Sequence, residues 1–170
     1  MRILSIDPGY KNLAVADLEK LETGRVIIHS VDLIDLKVKG IGPIVSAGSK
    51  WLFEKISTSP HTYHKIIIES QVGPNQTQKC LASALQAVGV CCSVPALFRT
   101  AVWKLKQIPG YVKKMPYRER KKLAVRNFLI RISNKEFDID ESIVVAFQNK
   151  KKQDDIADSC LQGYFYLLSV

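Results

Sequence analysis

Four carboxylate side chains stand at positions where apolar segments end or a helix begins. Asp7 ends the first apolar run of the chain, and Glu69 ends an Ile-Ile-Ile run. Asp155 and Asp158 are three residues apart at the start of a C-terminal helical pattern, so both project from one face of that helix. If the two apolar runs form neighbouring strands, all four carboxylates meet at one edge of a sheet.

Carboxylates packed this closely repel one another and raise their own pKa values unless cations neutralise them. Mg²⁺ and Mn²⁺ prefer oxygen ligands, and two such ions roughly 3.5 to 4 Å apart stabilise both the attacking and the leaving oxygen of a phosphoryl transfer. The pattern therefore predicts a metal-dependent nuclease whose ligands are Asp7, Glu69, Asp155 and Asp158.

Each acidic residue also has a purely structural alternative. Asp7 lies in Asp-Pro-Gly, which is typical of a turn, and Glu69 could pair with a lysine at the end of a strand. Acids in the first turn of a helix are favoured by its dipole. The combination of all four acids with a concentrated basic segment favours the nuclease interpretation.

The positive charge of the chain is concentrated in that basic segment. The chain has 25 Lys and Arg against 16 Asp and Glu, a formal net charge of +9, and residues 104–126 contain nine basic residues and one acidic residue. Trp103, Tyr111 and Tyr117 are interleaved with the cations. Cations bind phosphates and flat rings stack on unpaired bases, so the segment predicts a nucleic-acid surface. A solvated helix face, the alternative, usually mixes both signs. The predicted phosphate contacts here are Lys104, Lys106, Lys113, Lys114, Arg118 and Arg120.

The elements that position these residues follow from periodicity and turn signals. Residues 2–6, 12–18 and 25–36 predict an antiparallel meander of three strands with short connections. Residues 65–69 predict a fourth strand buried on both faces, as in a parallel pairing, and residues 90–96 a fifth. Helical spacing predicts helices at residues 49–56, 77–88, 117–132 and 153–168.

These elements predict an α/β domain over residues 1–170, with a mixed five-stranded sheet flanked by helices in the order of the ribonuclease H-like fold. Residues 40–48 read as a Gly-rich link, and residues 142–148 receive no assignment. The side chains that helix 117–132 should direct inward are Leu123, Val125, Phe128, Leu129 and Ile132.

Composition excludes several other classes of protein. A content of 46% hydrophobic residues argues against a disordered chain, and no apolar run approaches the roughly 20 residues that span a bilayer. The N-terminus resembles neither a secretory signal nor a transit peptide. The four cysteines form no Cys-x-x-Cys pair, so we expect buried, reduced thiols in a reducing compartment. We expect no membrane and no small-molecule cofactor among the partners.

At its acidic motifs the sequence resembles the RuvC-type Holliday junction resolvases, and most closely their poxvirus branch. The motifs are Asp-x-Gly-x-x-Asn at residues 7–12, Ile-Glu-Ser-Gln at 68–71 and Asp-Asp-Ile-Ala-Asp-Ser at 154–159. The resemblance covers most of the chain in order. It implies a homodimer that binds branched DNA and nicks two strands of a four-way junction symmetrically, with two Mg²⁺ or Mn²⁺ ions per active site. A poxviral protein would act in the recombination of viral DNA and in the resolution of its concatemers, in the host cytoplasm.

The same resemblance assigns metal ligation to the four carboxylates and leaves Asp154 as a helix-start residue. It also places a lysine near the scissile phosphate, at the start of the helix before the last acidic pair. Lys121 and Lys122 both fit, with a slight preference for Lys122, and residues 77–88 correspond to the dimer helix of the family. Further phosphate contacts are expected from Lys150, Lys151 and Lys152.

One position departs from the family pattern. Bacterial members have a phenylalanine three residues after the catalytic glutamate that helps to open the junction, and this chain has Val72 there. Valine cannot stack on a base, so an aromatic residue elsewhere, Tyr10 or one in the basic segment, must supply that contact.

Two other functions remain as alternatives. A ribonuclease H-like nuclease of the YqgF/RuvX type, linked to RNA processing, shares the first motif but lacks a glutamate equivalent to Glu69. A catalytically silent module that binds branched nucleic acid would use the basic segment equally well, but it has no need for four carboxylates beside phosphates.

Overall fold

The computed structural model describes residues 1–150 and 152–170. The strands are β1 (Arg2–Pro8), β2 (Leu13–Lys20), β3 (Val26–Ile34), β4 (Lys65–Ser70), β5 (Ala96–Thr100) and β6 (Asp138–Ile139). They form one mixed sheet in the order β5-β4-β1-β2-β3-β6. The helices are α1 (Ile41–Ser57), α2 (Gln76–Cys91), α3 (Ala101–Leu105), α4 (Tyr117–Ser133), α5 (Glu141–Gln148) and α6 (Gln153–Leu168).

The pairing of β1 determines where the site lies. β1 pairs antiparallel with β2, and β2 pairs antiparallel with β3, so the predicted meander is confirmed. On its other side β1 pairs parallel with β4, with Ile6 opposite Ile68. Asp7 and Glu69 are the next residues on the two strands, so the sheet places both at the same edge.

The sheet separates two hydrophobic cores. Strand side chains such as Leu4, Ile6 and Ile68 point to one face, where they pack with residues of α1 and α2. Ile3, Ile67 and their neighbours point to the other face, where they pack with α4, α5 and α6. Burial on both faces explains why β1 and β4 read as continuous apolar runs rather than alternating ones.

α6 packs closely on the sheet because of one glycine. A Cβ at Gly163 would lie 2.9 Å from Ser5 Cβ and 2.5 Å from a Leu18 methyl group, so only glycine permits this distance between helix and sheet. The bounds of α6 agree with the predicted helix at residues 153–168. Its first two turns reach the edge of the sheet where Asp7 lies.

Three sequence predictions for the fold need correction. The sheet has six strands rather than five, because the two residues of β6 pair parallel with β3. α2 continues to Cys91 and β5 begins at Ala96, so the fifth strand is not at residues 90–96. Residues 41–48 belong to α1 rather than to a link. Gly48 packs closely on α2, since a Cβ there would lie 2.4 Å from a Leu81 methyl group. This tertiary packing overrides the low helix propensity of glycine.

The inward face of α4 also differs from the prediction. Ala124, Asn127 and Phe128 are buried, whereas Leu129 is 37% exposed and Val125 only partly buried. The unassigned residues 142–148 lie in α5, which buries Phe147 against Phe128. In the described part of the chain, no helix is long and apolar enough to cross a membrane.

Candidate active site

The four predicted carboxylates line one cleft of about 710 Å³ at the edge of the sheet. β1 and β4 supply Asp7 and Glu69, and the first two turns of α6 supply Asp155 and Asp158. The parallel pairing of β1 and β4 and the close packing of α6 explain this convergence, which the sequence predicted from the positions of the acids alone.

Two lysines lie between these carboxylates. The ammonium nitrogen of Lys104 lies 2.9 Å from Glu69 Oε2 and 2.6 Å from Asp158 Oδ1. The ammonium nitrogen of Lys121 lies 2.7 Å from Asp158 Oδ2 and 3.1 Å from Asp155 Oδ1. Asp158 is therefore held by both lysines, and the two cations connect α3 and α4 to α6 and β4.

The prediction that Lys104 contacts phosphates on the surface is wrong. Its side chain is only 1% exposed, because the short helix α3 turns it inward together with Leu105. Burial lowers the Lys104 pKa, but the carboxylates of Asp158 and Glu69 outweigh this and raise it above the ordinary value. Lys104 is thus a buried, charged partner of the carboxylates.

The structure also distinguishes the two candidate lysines of α4. Lys121 lines the cleft. Burial lowers the pKa of Lys121, but the nearby Asp158 carboxylate outweighs this effect and raises it above the ordinary value. Lys122 is exposed and does not line the cleft; it lies in a groove on the outer side of α4 that Lys121 also borders. Of the two candidates, the lysine that contacts the carboxylates is therefore Lys121 rather than Lys122, which the sequence slightly favoured.

Asp7 differs electrostatically from the other carboxylates. Burial raises its pKa well above 3.8, and repulsion from Glu69 and Asp158 raises it further. Lys104 and Lys121 only partly offset these effects. No ion pair or side-chain hydrogen bond of Asp7 is formed with another described residue.

The two acids of α6 have opposite shifts. Burial also opposes the charge of Asp158, but its contacts with Lys104 and Lys121 outweigh this and lower its pKa. Burial raises the pKa of Asp155, and Lys121 only partly offsets that effect. The lysines therefore favour the ionised form of Asp158, whereas burial disfavours the ionised forms of Asp7 and Asp155.

The donor set fits divalent metal ions by its chemistry. Carboxylate oxygens are the ligands that Mg²⁺ and Mn²⁺ prefer, and a cation beside Asp7 would relieve the repulsion that raises its pKa. Among the described residues, no three carboxylates already converge at metal-binding distance. The two ammonium groups lie between them instead, so metal binding requires these lysines to change their contacts.

The remaining predicted cations differ in position. Arg120 and Lys152 line the cleft, and Arg118 lines the groove beside α4. Other predicted contacts are exposed but lie outside the cleft lining: Lys106, Lys113, Lys114 and Lys150. The prediction for Lys151 concerns a residue outside the described ones.

Sequence reasoning missed two site features. It read Lys104 as one more surface cation, although its position between the apolar Trp103 and Leu105 was a signal for burial. It also missed Gln162, which is 1% exposed and donates its amide Nε2 to Ser5 Oγ at 3.1 Å and to the backbone oxygens of Ile6 and Ile67. Its spacing of four residues from Asp158 was the only available signal.

The sheet order and the flanking helices define a domain of the ribonuclease H-like fold class. A family model described as Poxvirus A22 protein matches residues 1–169. The chain therefore belongs to this family, the Holliday junction resolvases of poxviruses.

Solved structures agree with this fold. The Holliday junction resolvase of fowlpox virus has a TM-score of 0.71 and 19% identity, with 99% of each chain covered. The yeast mitochondrial Holliday junction resolvase Ydc2 also has a TM-score of 0.71 and 19% identity, covering 99% of this chain and 80% of that one. Thermus thermophilus RuvC has a TM-score of 0.68 and 12% identity, over 99% and 96%. No curated protein sequence matches significantly.

Proposed function

We propose that this protein is an endonuclease that resolves four-way DNA junctions by paired, symmetric nicks. The observation that supports it best is the cleft in which Asp7, Glu69, Asp155 and Asp158 lie with Lys104 and Lys121. A protein that only binds nucleic acid gains nothing from four carboxylates facing phosphates. The membership of the family supplies the substrate, branched DNA.

The carboxylates and the lysines of the cleft have different proposed roles. Asp7, Glu69, Asp155 and Asp158 would hold two Mg²⁺ or Mn²⁺ ions, which supply an activated water and stabilise the leaving oxygen. Lys121 is released from Asp158 and Asp155 and donates hydrogen bonds to the scissile phosphate, where negative charge develops. Lys104 gives up its contact with Asp158, stays buried and maintains the orientation of Glu69.

Symmetric nicking requires two such sites. A four-way junction presents two equivalent strands, and a dimer with a twofold axis presents two equivalent clefts. We therefore propose a homodimer formed through α2, acting on viral DNA in the host cytoplasm. The expected mass in solution is about twice the 19.1 kDa of the chain.

The direct test is cleavage of a synthetic four-way junction whose strands have different labels, beside a linear duplex of the same sequence. With Mg²⁺ we expect paired nicks at the junction and none in the duplex, and with a chelator no nicks at all. Asp7→Asn should retain junction binding but lose cleavage at least about 100-fold, as expected when a metal ligand is removed.

A neighbouring acid provides the matched control. Asp154 lies beside Asp155 on α6 but contacts Lys121 only at 3.4 Å. Asp154→Asn should keep cleavage within about threefold, because it removes the same charge from outside the ligand set. Full cleavage by Asp7→Asn would disprove the assigned site. Equal cutting of linear duplex or RNA would show a nuclease of broader substrate range instead of a junction-specific enzyme. Tight binding without cleavage would support the catalytically silent module that binds branched nucleic acid.

A further inference from the structure

One aromatic ring in the cleft is exposed. Tyr117, the first residue of α4, lines the cleft and is 67% exposed. The other aromatic candidates are less accessible: Trp103 and Tyr111 pack against the core beneath α6, and Tyr10 packs against the core beneath α2. Exposure of a large ring costs hydrophobic free energy, so a ligand that covers it gains that energy.

The Tyr117 ring is held in place by two cations. The Arg120 guanidinium carbon lies 5.7 Å from the ring centroid, and the Lys121 ammonium nitrogen lies 5.8 Å from it. Both residues follow one helical turn later, which places them beside the ring. Because Lys121 also contacts Asp155 and Asp158, the position of the ring is linked to the catalytic carboxylates.

Arg120 itself has unused hydrogen-bonding capacity. Its Nε is buried and has no hydrogen-bond partner, and within the described residues it forms no ion pair. It lines the same cleft as Tyr117. A buried donor without a partner costs free energy, which an anion placed in the cleft would recover.

We propose that Tyr117 and Arg120 form a nucleotide-binding subsite beside the carboxylates. The Tyr117 ring stacks on one unpaired base of the cleaved strand, and Arg120 binds the phosphate next to that base. Stacking on a ring is independent of base identity, so the subsite selects unpaired nucleotides rather than a sequence. The inference rests on the proposed function, because that function places a DNA strand in the cleft.

The test uses the full protein with a four-way junction that contains 2-aminopurine at single positions around the crossover, in chelator so that no strand is cut. The wild-type protein should quench the emission at one of these positions. Tyr117→Phe should quench it equally, because the ring remains, and Tyr117→Ala should not. Phe53→Ala is the matched control, since Phe53 is 55% exposed on α1, away from the cleft.

Cleavage and salt dependence separate the two residues. With Mg²⁺, Tyr117→Ala should cut the junction at least about tenfold more slowly than wild type, with Tyr117→Phe within about threefold. Arg120→Ala should reduce the magnitude of the negative slope of log affinity against log salt by about one, as expected for one lost phosphate contact.

Quenching that persists in Tyr117→Ala, or wild-type cleavage by that variant, would overturn the subsite. So would an Arg120→Ala slope equal to that of wild type. If the wild-type protein cuts no junction in Mg²⁺, the proposed nuclease function fails, and the quenching in chelator then decides the subsite by itself. Because Tyr117 is exposed, Tyr117→Ala should have the same melting temperature as wild type. A clearly lower melting temperature would assign the ring a structural role instead.

Discussion

At the scale of single residues, the protonation of Asp7 connects the cleft to stability. In the folded chain its pKa is raised well above 3.8 by burial and by its acidic neighbours. As the pH rises above 3.8, the unfolded chain loses this proton while the folded chain keeps it, so the free energy of unfolding decreases until the pH passes the folded pKa. At neutral pH, without metal, Asp7 therefore destabilises the fold.

Asp7→Asn should accordingly be more stable than wild type at pH 7 in chelator. We expect its melting temperature to be higher by about 3 °C or more, with the difference shrinking as the pH is lowered toward 4. Added Mg²⁺ should stabilise wild type more than Asp7→Asn, because metal binds only the folded site. Calorimetric scans at both pH values, with and without Mg²⁺, measure this. A variant less stable than wild type at pH 7 would contradict the raised pKa.

The adjacent lysines of α4 allow a second comparison of single residues. Lys121 contacts Asp155 and Asp158, whereas Lys122 is exposed outside the cleft. Lys121→Met should reduce the rate of junction cleavage at least about 100-fold, and Lys122→Met by less than about threefold. Single-turnover rates at saturating protein separate this loss from weaker binding. Equal losses in the two variants would show that only the total charge of α4 matters.

At the scale of elements, α6 must keep a fixed distance from the sheet and a fixed position along it, since it supplies two of the four acids. Gly163 sets the distance of approach, and the Gln162 amide joins the helix to the ends of β1 and β4. Asp158 lies one turn before Gln162 on the same face. We therefore expect Gln162 to position the carboxylates of α6.

Gln162→Leu should preserve the fold while it impairs the site. Leucine is only slightly larger than glutamine and removes the unpaired Oε1, but it leaves the buried acceptors of the amide without a donor, so we expect a loss of stability of about 1 to 3 kcal/mol. Cleavage should fall about tenfold or more in kcat with little change in KM, and half-activation should need more Mg²⁺, because the ligands lose their alignment. Leu161→Met on the same helix is the control. Unchanged kcat and Mg²⁺ dependence would leave Gln162 a packing residue.

The sequence predicted the elements with strong periodicity and local signals. α6 and α2 agree closely with their predicted ranges, and the acids were placed together because an Asp-Pro-Gly turn and an Ile-Ile-Ile-Glu strand end are local patterns. The errors arose where tertiary packing decides. Gly48 is helical because it packs on Leu81, which is distant in the sequence, and Lys104 is buried because its carboxylate partners come from β4 and α6, although its apolar neighbours Trp103 and Leu105 were a weak local signal.

At the scale of the whole molecule, the net charge of +9 predicts salt-dependent association with DNA. α4 and the segment before it lie on the sheet face opposite to α1 and α2, so the cations of residues 104–126 are concentrated on one side of the protein. A junction bound at the cleft would meet that side. Exposed lysines on the opposite side should not contribute.

Two lysine pairs test this directly. Lys113 and Lys114 are exposed in the segment that joins α3 and α4, whereas Lys39 and Lys50 are exposed before and within α1. Replacing the first pair by alanine should reduce the magnitude of the negative slope of log affinity against log salt by about 1.8, since each phosphate contact contributes about 0.9. Replacing the second pair removes the same charge, so it controls for net charge alone. Fluorescence anisotropy of a labelled junction across a salt series gives both slopes. Equal slopes for the two double variants would mean that DNA responds to the overall charge rather than to this face of the molecule.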